Sequence, residues 1–209
     1  MSYLIKTLSV LFILFSQVVL ADSPLTNIEF YRAYLGNPMV EKATVSKGKI
    51  SSEVLRFLTD EENHQDEKLA VINALGWNHN NANSEVYRDH IIKTKKYKSD
   101  FGDHYTAFLW NASADELLYY SYMKAMENYR QPLMVFEYLD KAIVKEPSNL
   151  NIRLIYELIK SQVLYDINEK NLAKKRVRLV LMDFPKKGND TSLNNNALGY
   201  FFKYFSFVS

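Results

Sequence analysis

Cysteine is absent from this chain of 209 residues. Its absence excludes disulfides, thiolate catalysis, iron–sulfur clusters and Cys-ligated zinc, and also the lipid-bearing Cys of a bacterial lipoprotein. Glycine and proline are scarce, at 6 and 5 residues, which fits long regular elements joined by short connections. Charge of one sign is lacking too. A formal net charge of +2 gives no field that would draw the chain to nucleic acid or to an anionic membrane. No Gly-rich phosphate loop, Gly-x-Ser-x-Gly elbow or dinucleotide fingerprint occurs, and no cofactor is expected.

Large apolar side chains are abundant. The chain is 47% hydrophobic and 14% aromatic, too rich for disorder and ample for a packed core. Residues 1–21 read as a secretory signal peptide. Lys6 supplies the positive end, Leu8 to Leu20 the short apolar run, and Val19 and Ala21 the small residues before a cleavage point at Asp22. The competing reading is an uncleaved anchor, but the run is shorter than the roughly 20 apolar residues that span a bilayer. No stable membrane span is expected after cleavage. With a body rich in Lys, Asn, Ile and Tyr, the leader points to export into a bacterial envelope, to the periplasm or beyond it. Residues 22–209 then read as one all-helical domain.

Apolar spacing carries that reading. Val135, Phe136, Leu139, Ala142 and Ile143 make one stripe at a 3.6-residue period. Pro132 suits a first helical turn, and Pro147 ends the helix by disfavouring helical geometry at Glu146. Ser148 or Asn149 can cap the next helix, Leu150 to Asp166. Ile152, Ile155, Tyr156, Ile159 and Val163 mark one of its faces. Leu150, Leu154, Leu158 and Tyr165 mark another, so it belongs between neighbours in the middle of a stack. Ser113-Ala114-Asp115-Glu116 is a capping box and the strongest helix start in the chain. Shorter helices are expected around Ile28 to Leu35, from Ser51 or Ser52, through Leu69 to Leu75, from Ser84, and around Tyr105 to Leu109. One more carries Leu172 to Phe184, and a last one Leu198 to Val208. The stretch from Asn37 to Gly48 reads as irregular after a stop at Gly36-Asn37-Pro38. We expect about eight helices in antiparallel pairs, some of these stretches being short or ambiguous, and no convincing strand. An α-solenoid-like or orthogonal stack is expected.

The corner at Ala142 to Asn149 resembles the junction between tetratricopeptide repeats. In that family a small residue lies five positions before the Pro that ends the second helix, as Ala142 and Pro147 do here, and Asn149 fits the polar residue after the turn. Lys124 and Glu127 fall where the repeat has small and aromatic residues, and no second copy recurs at a fixed period. The resemblance implies a helical scaffold that binds a protein or peptide.

Four groups of residues are candidates for chemistry. The histidines are His64, His79, His90 and His104, with Asp89-His90 and Asp103-His104 repeating one dipeptide. A metal site would want imidazoles converging with carboxylates behind them, but no His-x-x-x-His spacing exists, so solvated or helix-end histidines are the plainer reading. Glu61-Glu62 with Asp66-Glu67 could supply paired carboxylates for glycoside hydrolysis. The plainer reading is a solvated connection and an acidic first turn. The basic clusters are Lys93/Lys95/Lys96/Lys98 and Lys174/Lys175/Arg176/Arg178, with Lys174 and Arg178 on one helix face; such clusters could meet an acidic partner or a phosphate-bearing surface, although solvation explains both. The aromatic end offers Tyr200, Phe201, Tyr204 and Phe205, either as a helix that closes the core or as a docking edge for a partner. A β-barrel terminus is a third reading, with no strand series to support it. Together these features favour an exported helical interaction protein that binds a protein or peptide without catalysis, in the manner of an inhibitor or immunity protein. The alternative is a helical enzyme acting on envelope polymers with a His and carboxylate site.

Overall fold

Short polar residues placed just ahead of apolar stripes start most of the helices. The structure, a computed structural model of the chain, describes residues 23–77, 82–98, 102–184 and 193–205; the leader and His79 lie outside them. Eleven α-helices and two 3-10 turns account for the regular structure of the described residues, and there is no strand among them. The helices are α1 (Pro24–Asn27), α2 (Pro38–Val45), α3 (Ser52–Thr59), α4 (Gln65–Leu75), α5 (Asn83–Lys95), α6 (His104–Asn111), α7 (Ala114–Glu127), α8 (Phe136–Lys145), α9 (Leu150–Asp166), α10 (Lys170–Leu181) and α11 (Asn195–Tyr204). The 3-10 turns are Phe30–Tyr34 and Pro132–Val135.

The fold is all-α, as the periodicity predicts, but with eleven helices among the described residues rather than about eight. One of the additions is α2, in the stretch expected to be irregular. Asn37 accepts a hydrogen bond from the Met39 amide at 2.9 Å and Pro38 occupies the first turn. The pair that reads as a stop is therefore a start, because Asn is a good N-cap and Pro has no amide to lose at N1. Pro132 opens a 3-10 turn, and the α-helix follows at Phe136. Three other starts are where the sequence puts them. Ser113 and Glu116 form the reciprocal capping box, Asn149 caps α9 and Ser51 caps α3. Asp103, not expected as a cap from the sequence, caps α6.

Helix α5 starts differently. Its N-cap residue, Ala82, offers no side-chain cap, and the expected cap, Ser84, sits inside the helix. The Ser84 amide and hydroxyl donate to the two oxygens of Glu127, at 2.8 and 2.6 Å. A carboxylate from the far end of α7 thus satisfies first-turn donors that a local side chain would normally take.

Helix α9 packs against α1, α7, α8 and α10, and Ile152, Leu154, Ile155, Leu158 and Ile159 are fully buried. Its two apolar faces therefore have neighbours, as required. Helix α4 is enclosed just as deeply, with Leu69, Ala70, Val71 and Ile72 buried in succession. It packs against α2, α7 and the first 3-10 turn. One cluster of buried residues joins these helices from Leu25 to Phe205.

Candidate functional site

Polar residues buried on α4 are bonded very differently from one another. Asn73 is satisfied on every side. Its oxygen accepts from the Tyr31 amide at 2.9 Å, and its amide donates to the Ile28 carbonyl at 3.0 Å and the Tyr122 hydroxyl at 2.9 Å. Gln65 sits in a chain of amides. Asn151 donates to it at 2.6 Å, and Gln65 in turn donates to Asp115. Lys68 is 5% exposed and has no ion pair and no side-chain hydrogen bond among the described residues. Its ammonium lies 5.6 Å from the centre of the Tyr119 ring, a cation–π distance.

Buried charges are normally paired, because an unpaired ion loses its hydration for nothing. Lys68 keeps one outlet. Ser121 Oγ and Tyr138 Oη are the fully enclosed polar atoms without a partner among the described residues, and the Lys68 nitrogen is not one of them. The ammonium is therefore not fully enclosed. It opens into a pocket of about 230 Å³ lined by Leu58, Glu61, Lys68, Lys95, Asp115, Tyr119 and Glu146, among others. Burial lowers the Lys68 pKa from its ordinary 10.5, and the nearby Asp115 and other acids only partly oppose that.

Helix geometry builds this pocket. Tyr87, Ile91 and Lys95 fall four apart on α5 and line one wall. Asp115, Glu116 and Tyr119 come from the first turns of α7, and Lys68 from the second turn of α4. Thr59 and Glu61 close it from the end of α3 and the connection that follows, and Glu146 from the corner after α8.

Most of the acids are already engaged. Lys95 reaches Glu61 at 2.8 Å and Glu116 at 2.9 Å. Hydrogen bonds to these two acids hold the Lys95 ammonium above its ordinary range, Glu61 contributing most. Glu116 also accepts from the Tyr97 hydroxyl at 2.9 Å; burial first and this bond second push the Tyr97 phenol up to about 12. Asp115 accepts from Gln65 on one oxygen and from the Tyr119 hydroxyl, at 3.2 Å, on the other. Burial raises its pKa above the ordinary carboxylate value, against the effect of both donors. Asn149 donates to Glu146 at 2.9 Å.

The residues singled out from sequence have varied places. Glu61 and Lys95, read as solvated, meet in the pocket wall. Asp66 is turned away from it toward the Tyr34 hydroxyl, and burial raises its pKa. His64 and His104 are exposed and His90 half-buried; His104 approaches Asp89 at 3.8 Å. Among the described residues no three His, Asp or Glu side chains are grouped to hold a metal ion. Phe201 and Phe205 are fully buried, Phe201 stacked on Phe30 at 5.5 Å and Phe205 edge-on to Tyr165 at 6.4 Å. Their rings close the core. Tyr200 and Tyr204 are half-buried, Lys174 half-buried and Arg178 exposed on α10. No described helix is long and apolar enough to cross a membrane.

Lys68 itself escapes a reading of the sequence by motif. Its signal is a lysine on the apolar stripe of a helix, with Gln65, Leu69 and Ile72 at i−3, i+1 and i+4. No protein-family model, no curated protein and no solved structure matches this chain.

Proposed function

We propose that this chain is an exported, non-catalytic helical binding protein, and that its ligand places an anionic group beside Lys68 in the pocket between α4, α5 and α7. The single observation behind this reading is the ammonium of Lys68, buried against the Tyr119 ring with no ion pair or hydrogen bond among the described residues, yet open to the pocket. A folded chain tolerates such a charge poorly, and a bound anion removes the penalty. The acids around it support binding over catalysis. Glu61, Glu116 and Asp115 are each held by donors, so no pair of them stands ready as acid and base. Export rests on the leader-like run from Lys6 to Ala21. Neighbouring packing of α7 with α8 and of α9 with α10 is in keeping with stacked helix pairs, the arrangement that repeat-type binding scaffolds use.

Thermal melting in the presence of a panel of small carboxylates, phosphates, amino acids and short peptides tests the reading, run in parallel on the wild type and on Lys68→Met. The expected result is a rise in Tm for the wild type with at least one class and none for Lys68→Met. If no compound raises the Tm of the wild type more than that of Lys68→Met, the pocket is not a binding site.

A further inference from the structure

The charges around Lys68 narrow the ligand further. Four carboxylates line the pocket, Glu61, Asp115, Glu116 and Glu146, against two amines, Lys68 and Lys95. Lys95 is spent on Glu61 and Glu116. Lys68, Asp115 and Glu146 remain, with one cation in no direct ion pair among the described residues and the acids in excess. A purely anionic ligand would satisfy Lys68 and be repelled by its neighbours. A purely cationic ligand would suit the acids and leave Lys68 unpaired. A molecule that carries an ammonium close to a carboxylate meets both demands. The volume, about 230 Å³, lies below the roughly 300–1,000 Å³ of drug-sized sites and suits a molecule of few atoms. Leu58, Ile91 and the Tyr119 ring offer apolar wall beside the charges.

We infer that the pocket binds a free α-amino acid, with its carboxylate on Lys68, its α-ammonium on Asp115, and a preference for a basic side chain directed to Glu146. This rests on the proposed binding function and names the ligand class for the same pocket. Asp115 is suited to the role because Gln65 and Tyr119 fix both its oxygens. The Gln65 end of that bracket is itself anchored through Asn151, whose oxygen accepts from the Leu193 amide at 3.1 Å. Selectivity follows from the surplus of acid. Basic amino acids should bind best, neutral ones less well, and acidic ones worst.

Isothermal titration of the full-length protein with L-lysine, L-alanine and L-glutamate, and with three controls, tests this. The controls are 6-aminohexanoate, which lacks the α-ammonium, cadaverine, which lacks the carboxylate, and inorganic phosphate. The expected result is that lysine binds at least about 10-fold tighter than 6-aminohexanoate or cadaverine. Lys68→Met should weaken lysine binding by at least about 30-fold, as removal of one member of a buried charge pair does, and Asp115→Asn should weaken it as well. Circular dichroism verifies that each variant is folded, and the comparison of lysine with its two truncated analogues on the wild type needs no variant at all. If phosphate or 6-aminohexanoate binds as tightly as lysine in a Lys68-dependent way, the amino-acid assignment fails while the binding site stands. If none of the six compounds gives Lys68-dependent heat, the assignment fails, and the wider melting panel decides whether the binding function fails with it.

Discussion

Two ends of one buried helix treat polar side chains in opposite ways. At the C-terminal end of α4, Asn73 is hydrogen-bonded to the stretch 28–31 and to α7 and leaves nothing unpaired. At the N-terminal end, Lys68 is buried to the same 5% exposure with no ion pair or hydrogen bond from its ammonium among the described residues and only the Tyr119 ring against it. Burial is equal and pairing is not, and that difference is the ground on which we propose a ligand at Lys68 and none at Asn73. Asn73 lowers the energy of the fold by being where it is. Lys68 raises it, and is tolerable where a ligand can supply what the protein withholds.

A dry region sets the scale for this contrast. Ile155 on α9 is fully buried among apolar neighbours, and Ile155→Ala is expected to cost about 2–5 kcal/mol, measured by urea denaturation. A loss under about half a kcal/mol would mean that α9 is not central. Asn73→Ala should cost somewhat less, about 1–3 kcal/mol, because it strands the Tyr31 amide, the Ile28 carbonyl and the Tyr122 hydroxyl. Lys68→Met should move the other way and gain about 1 kcal/mol without ligand, since a flexible apolar side chain replaces a buried, unpaired ion. If both α4 variants destabilise by similar amounts, the distinction between the two ends disappears.

The smallest effect is a dependence on pH. The Lys68 pKa is lower in the folded protein than its ordinary 10.5. Between the folded and unfolded values the unfolded chain binds more protons, so this residue makes stability rise with pH. The stability of the wild type should therefore approach that of Lys68→Met as pH increases toward 10.5, a trend that denaturation at several alkaline pH values checks. Burial raises the pKa values of Tyr87 and Tyr122 above 10.0, so their contribution is complete below that pH and is lost above it. Comparing the two proteins at each pH cancels this loss. Tyr119, whose pKa burial also raises, faces Lys68, so the comparison is made below pH 10.0, where the phenol is neutral in both proteins.

Local signals in the sequence are sufficient for most of the fold. Ser113 with Glu116, Asn149 and Ser51 act on donors within a few residues, so their roles can be read from the chain itself. Helix α2 is obscured because Asn37-Pro38 has two meanings, the end of one element and the beginning of another. The start of α5 is obscured for a different reason: its cap, Glu127, is 43 residues away. The pocket depends on distance in the same manner. Lys68, Lys95 and Asp115 lie on three helices, and only packing brings them together. Lys95 sits in a run of lysines that reads as solvated, yet it turns inward to Glu61 and Glu116. Residue type directs attention to the histidines, of which those described lie at or near the surface. The lone lysine inside an apolar stripe is the legible clue, and its meaning depends on whether an acid is packed against it.

Direct titration of Lys68 bears most closely on that point. In a protein labelled at lysine Cε, NMR can follow each ammonium through alkaline pH, and the resonance missing from Lys68→Met identifies the residue. The expected profile has Lys68 titrating below the exposed lysines and Lys95, held by two acids, above them. A Lys68 resonance that titrates with the exposed lysines or above them would show that its charge is already answered within the protein, and the pocket would lose its claim to a ligand.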